Sequence, residues 1–130
     1  MVLNKLILAS FLSLGLLVTA PSTMAAGKIE NATPAETAIA IDETLEVAEE
    51  TLAAIKSGAE KDSVMALYKT TKQSAKKIES TVTYMIREKS LGRLKKSRSA
   101  FKKGDLETAE EKMEETLKLF KDLKEKYHNF

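Results

Sequence analysis

The sequence has no cysteine and no tryptophan, and only one histidine, five glycines and two prolines among 130 residues. Without cysteine there can be no thiolate chemistry, disulfide, iron–sulfur cluster, c-type haem attachment or cysteine zinc site. A single histidine, His128, rules out histidine-rich metal centres. So little glycine and proline fits neither a barrel with many turns nor a collagen-like or disordered tract. Patterns that carry catalysis are missing too: no GxGxxG, GxSxG, P-loop or HExxH run occurs. The tandem carboxylates Glu49-Glu50, Glu110-Glu111 and Glu114-Glu115 suit solvated helical faces. The chain therefore reads as non-catalytic.

What is present is 43% hydrophobic and 31% charged residues, enough for one small domain. The first 25 residues read as an address. Met1 to Lys5 is a short positive start, and Leu6 to Val18 is an uncharged run too short for an ordinary spanning helix, which needs about 20 residues. Pro21 and the small residues up to Ala25 then suit a cut before Ala26. This is the pattern of a secretory signal peptide, and it leads us to expect a periplasmic or secreted product with no transmembrane helix after processing. Residues 26–33 read as a flexible leader.

From Thr33 onward the pattern is helical. Thr33 suits an N-cap, Pro34 the first helical position, and Glu36 the third residue of a capping box. Ala38, Ile41, Leu45, Ala48, Leu52 and Ile55 repeat at alternating three- and four-residue steps, up to a stop at Ser57-Gly58. A second stripe starts near Glu60 and runs through Val64, Leu67, Tyr68, Thr71, Ala75, Ile78 and Val82 to Met85 or Ile86. It stumbles at Lys89-Ser90-Leu91-Gly92 and resumes at Leu94, Ser97 and Phe101. A turn at 88–93 gives four helices; a kinked passage gives three helices with a long middle one, an arrangement that favours a dimer. We take the first. Gly104 and Asp105 mark the next turn, and Leu106, Ala109, Met113, Leu117, Phe120, Leu123 and Tyr127 line the last helix. The fold class is thus all-α, an antiparallel up-and-down bundle over residues 34–130, with coiled-coil-like packing.

Charge is distributed in blocks. Residues 26–58 carry seven acidic against two basic side chains, residues 60–103 thirteen basic against four acidic, and residues 104–130 eight acidic against five basic. The outer and middle helices can attract one another within the fold or between subunits, through self-association or a protein partner. Alternatively Arg87, Lys89, Arg93, Lys95, Lys96, Arg98, Lys102 and Lys103 form a basic binding face for an anionic membrane, a polyanion or an acidic protein. Nucleic acid is disfavoured by the near-neutral total and the lack of a docking motif. Met65, Met85 and Met113 are soft thioethers that suit copper together with His128, Met65 and Met113 being the two able to approach across a bundle, although methionine is more often a core filler.

Gly104-Asp105-Leu106-Glu107-Thr108-Ala109-Glu110, the following helix and Glu125-Lys126-Tyr127-His128, together with the exported character, resemble the cytochrome b562-like group of small four-helix bundles. That resemblance implies the bundle fold and a haem held by a methionine early in the first helix and a histidine late in the last. His128 matches the second ligand approximately. The first has no counterpart, because no methionine follows Met24 until Met65. The expectation is a binding or scaffolding protein, with a haem or copper electron carrier as the alternative.

Overall fold

The computed structural model describes residues 32–130; the signal peptide expected over 1–25 and nearly all of the leader lie outside the described residues. Four helices follow one another: α1 (Pro34–Ser57), α2 (Lys61–Lys76), α3 (Tyr84–Lys102) and α4 (Leu106–His128). No strand occurs among the described residues. Each helix packs on its two neighbours in the cyclic order α1, α2, α3, α4 and back to α1, an up-and-down four-helix bundle.

Local chemistry sets most of the boundaries. The Thr33 hydroxyl accepts the Glu36 N–H at 3.2 Å, and Pro34 opens α1 where its missing N–H costs nothing. Asp105 caps α4 in the same way through the Thr108 N–H at 3.2 Å. Gly58 and Gly104 both take left-handed backbone, with φ of 71° and 82°. At each turn the glycine N–H bonds three residues back, to Ile55 or Phe101, and the next N–H bonds five back, to Ala54 or Ala100. This paired pattern closes both hairpins at the same end of the bundle.

The α2–α3 break falls elsewhere than the sequence suggests. No turn forms at 88–93; α3 runs straight through Gly92, and the connection is 77–83. That linker has no glycine or proline. Its Ser80-Thr81-Val82-Thr83 run disfavours helix through β-branching and hydroxyl competition, and long-range bonds hold it. Arg87 Nη1 donates to Ile78 O at 3.1 Å, Thr37 Oγ1 donates to Glu79 O at 3.2 Å, and the Ala32 N–H reaches Glu79 Oε2 at 3.1 Å. Ile78 itself is buried. Val82, expected on the apolar stripe, does not join the core; of the alternatives Met85 and Ile86, Ile86 packs against the core and Met85 is 77% exposed.

The core follows a seven-residue repeat in every helix. One line is Thr37, Thr44 and Thr51 on α1, then Val64, Thr71 and Ile78, then Thr83, Ser90 and Ser97, then Ala109, Thr116 and Leu123, all of them buried. The interleaved line carries the larger side chains, among them Ile41, Ile55, Tyr68, Leu94, Phe101, Met113 and Phe120. Alternate three- and four-residue steps of this kind are the seam geometry of left-handed helix packing. The stripe expected on α1 is therefore shifted: Ile41, Ala48 and Ile55 are buried, while Ala38, Leu45 and Leu52 are only half-buried and the threonine line takes their place. Fully burying Phe120 or Ile41 stabilises by about 1.5–3 kcal/mol each.

Gly92 has open space where a Cβ would stand. Gly92→Ala is expected to raise stability by about 1 kcal/mol, roughly 4–8 °C in Tm for a domain this size. Gly104→Ala, forced into left-handed backbone, is expected to lower it by about 1–2 kcal/mol. Thermal melts of the two variants check the pair. The Thr83 hydroxyl is buried with no hydrogen-bond partner, so Thr83→Val is expected to stabilise the fold by about 1 kcal/mol in urea titrations.

Candidate functional site

The cyclic order of the bundle converts blocks of charge in the sequence into faces. Helix α1 carries Glu36, Asp42, Glu43, Glu46, Glu49 and Glu50 against Lys56, a net of −5. Helix α4 carries seven carboxylates against five lysines, a net of −2. Helix α2 has four lysines against Asp62, a net of +3, and α3 has seven cations against Glu88, a net of +6. Because α4 returns beside α1, the acidic helices share one side of the molecule and the basic helices the other.

Ion pairs tie the acidic side together. Lys124 Nζ meets Asp42 Oδ1 at 2.9 Å, and Lys56 Nζ lies 3.9 and 3.8 Å from Glu110 and Glu114, all across the α1–α4 seam. Across α3–α4, Arg93 Nε stands 3.9 Å from Glu115, which Lys112 also holds at 2.9 Å. Those partners keep the Glu115 carboxyl below its usual range, the Lys112 hydrogen bond foremost. Exposed pairs of this kind each contribute little. Among the described residues, no ion pair crosses α2–α3, and that is also the seam along which neighbouring helices share least.

The eight cations expected to form one basic face do not share one. At 100° per residue, α3 sends Arg87, Lys95, Arg98 and Lys102 to the flank beside α2, and Lys89, Arg93 and Lys96 to the flank beside α4. Two contacts fix this orientation: Arg87 reaches Ile78 O in the linker just after α2, and Arg93 reaches Glu115 on α4. Lys103 follows α3 as its C-cap. Helix α2 contributes cations as well. The bond from Tyr68 to Ser97 shows which flank of α2 faces α3, and the same flank carries Lys61, Lys69, Lys72 and Lys76. Cations of two helices therefore line a single seam. Half-buried Met65 and Leu91 pack against the core beneath them.

Inside the seam, the Tyr68 hydroxyl donates to Ser97 Oγ at 2.6 Å, and Ser97 donates onward to Ala109 O at 2.6 Å. This relay joins α2, α3 and α4, and both of its hydroxyl protons are committed. The Tyr68 ring also meets Phe101 with centroids 5.9 Å apart. On α1, burial and secondarily Glu46 push the Glu50 carboxyl up.

The candidate metal or haem ligands are not brought together. His128 is exposed at the end of α4, with Tyr127 edge-on to it. Met113 is fully buried fifteen residues earlier on the same helix, about 22 Å away along the axis. Met65 lies on α2 at Met113's end of the bundle. Tyr127 donates to Pro34 O at 3.0 Å, which sets His128 near the start of α1. The α1 residues there, Ala35, Glu36, Thr37, Ala38 and Ile39, carry no thioether, and the methionine at this end is Met85 at the start of α3, 77% exposed. Among the described residues, no group of three His, Asp or Glu is arranged to hold a metal, and no helix is long and apolar enough to cross a membrane.

Removing Ser97 leaves a buried phenol unpaired, so Ser97→Ala is expected to cost about 1–3 kcal/mol, with Tyr68→Phe in that background recovering part of the loss. Burial raises the Tyr68 phenol above its ordinary value, an effect the Ser97 bond partly offsets. The folded state thus keeps a proton that the unfolded chain releases, and this contribution to stability is lost as pH rises past about 10. Urea titrations between neutral and strongly alkaline pH should show a shallower decline for Tyr68→Phe than for the native chain. Comparison with protein-family models, with curated proteins and with solved structures gives no significant match to this chain.

Proposed function

We propose that this is an exported, non-catalytic binding protein that acts through the charge-divided surface of its bundle. The observation that carries this reading is the segregation of charge: −5 and −2 on adjacent α1 and α4, +3 and +6 on adjacent α2 and α3. A folding domain gains little from such segregation, because exposed pairs contribute at most about 1 kcal/mol each and salt screens them. A surface that must recognise a charged partner gains a great deal. Export follows from the pattern of the first 25 residues.

The competing reading is a haem or copper carrier of the cytochrome b562-like type. It rests on His128 lying near the start of α1 through the Tyr127–Pro34 bond. An absorption spectrum and elemental analysis of the protein purified without chelators, followed by haem and copper titrations, separate the two. The expected result is no Soret band, no stoichiometric metal and identical behaviour of His128→Ala. A stoichiometric chromophore or copper that disappears in His128→Ala overturns the binding-protein reading.

A further inference from the structure

We infer that the α2–α3 seam is a docking trough for a linear acidic polysaccharide, with Lys69, Lys72 and Lys76 on one rail and Lys95, Arg98 and Lys102 on the other. This rests on the reading of the protein as a surface-acting binder and names its partner.

The Tyr68–Ser97 bond fixes which residues of the antiparallel helices stand level. Lys69 and Lys72 then interleave with Lys95 and Arg98 near the middle of the seam. Lys76 lies towards the linker end and Lys102 towards the Gly104 turn. From Lys76 to Lys102 the positive run extends about 20 Å along the bundle axis, at 1.5 Å per residue. Packed helices lie about 8–10 Å apart, comparable with the Debye length of about 8 Å in physiological salt. The two rails therefore repel each other across the seam, and among the described residues none of the six has an acidic partner within 4 Å. An anion laid between them removes that repulsion, and its gain is largest along the seam where the helices share least.

The shape of the charge selects the partner. Two parallel rows of cations over the half-buried Met65 and Leu91 suit an extended chain with repeated carboxylate or sulfate groups. Five of the six cations are lysines, flexible point charges that follow an irregular anionic chain without demanding bidentate geometry. Single-stranded nucleic acid would want a row of aromatic platforms for its bases, but Tyr68 and Phe101 are buried in the core and the exposed Tyr84 stands alone at the linker end with Arg87 over its ring. A bilayer would want apolar side chains to insert beside the cations; the exposed Ile39, Tyr84, Met85, Leu106 and Phe130 lie towards the ends of the bundle rather than along the middle of the trough. A second copy would have to offer its acidic side, where Lys56 and Lys124 hold Glu110, Glu114 and Asp42 and four further lysines of α4 interrupt the carboxylates. The described domain is close to neutral, with nineteen basic and eighteen acidic side chains, so overall charge does not draw polyanions to it.

The test compares two double variants of equal charge change in the full purified protein. Lys72→Glu with Arg98→Glu reverses the trough; Lys89→Glu with Lys96→Glu reverses the opposite flank of α3. Circular dichroism melts confirm that both fold. The probes are heparin and alginate fragments, titrated at several salt concentrations, with uncharged dextran as the blank. The expected result is micromolar binding of at least one acidic probe at physiological salt. The trough variant should lose at least tenfold in affinity with a shallower salt dependence, and the flank variant should stay within about twofold of the native protein. No binding of either probe, or equal loss in both variants, overturns the inference. So does stronger binding to phosphatidylglycerol vesicles than to either polysaccharide, or salt-sensitive dimerisation in sedimentation that the trough variant abolishes. These failures leave the surface-binder reading standing, whereas a stoichiometric haem or copper on His128 removes both.

Discussion

A hydroxyl buried in a helical core costs stability unless it finds an acceptor, and apart from Thr83 this bundle supplies most of its buried hydroxyls with one locally. Thr44, Thr51, Thr71, Ser90 and Thr116 each donate to the carbonyl four residues back in their own helix, at 2.7–2.8 Å. That bond removes most of the penalty for burying a polar group. Threonine and serine then serve as small core side chains at eight of the twelve positions on the seven-residue line. The larger Tyr68, Phe101, Met113 and Phe120 fill the alternate line. Where local acceptors do not serve, the hydroxyl crosses to a neighbour: Thr37 to the linker, Ser97 to α4. These crossing bonds are directional, and together with the Tyr68 relay they fix the register that apolar packing alone leaves loose.

The two glycine turns and the linker divide labour between the ends of the bundle. At one end, Gly58 and Gly104 close hairpins by the same short-range pattern of bonds. At the other, distant parts of the sequence meet: Thr37 and Ala32 with Glu79, Tyr127 with Pro34, and Arg87 with Ile78. The first end is set by local conformation and the second by tertiary contact. The α3–α4 hairpin is the most extensively packed pair and α2–α3 the least, so the molecule resembles two hairpins laid side by side, joined along α1–α4 more firmly than along the basic seam.

How much of this can be read without coordinates depends on whether the signal is local. The Thr33 and Asp105 caps, the Gly58 and Gly104 stops and the four-helix architecture are legible, because each rests on residues within one or two turns. The position of the α2–α3 break is not. Ser90 and Ser97 look like interruptions of an apolar stripe, although in the fold they are core residues with satisfied hydroxyls. The true break at 77–83 has no glycine or proline to announce it and is held by Arg87 and Thr37 from elsewhere in the chain. The basic middle segment is visible as a block of charge. Its division into two flanks, and the recruitment of lysines from α2, depend on which helices are neighbours, and only the packed bundle decides that.

Placing acidic α1 and α4 opposite basic α2 and α3 makes the domain an electric dipole directed across its width, with almost no net charge. A molecule of this kind feels little pull towards a distant charge but a definite torque in its field. Encounters are therefore filtered by angle rather than by frequency: the bundle turns about its long axis before it touches, presenting the same side each time. Salt shortens the range of that alignment, so ionic strength sets how often a collision is productive even while the fold itself is unaltered.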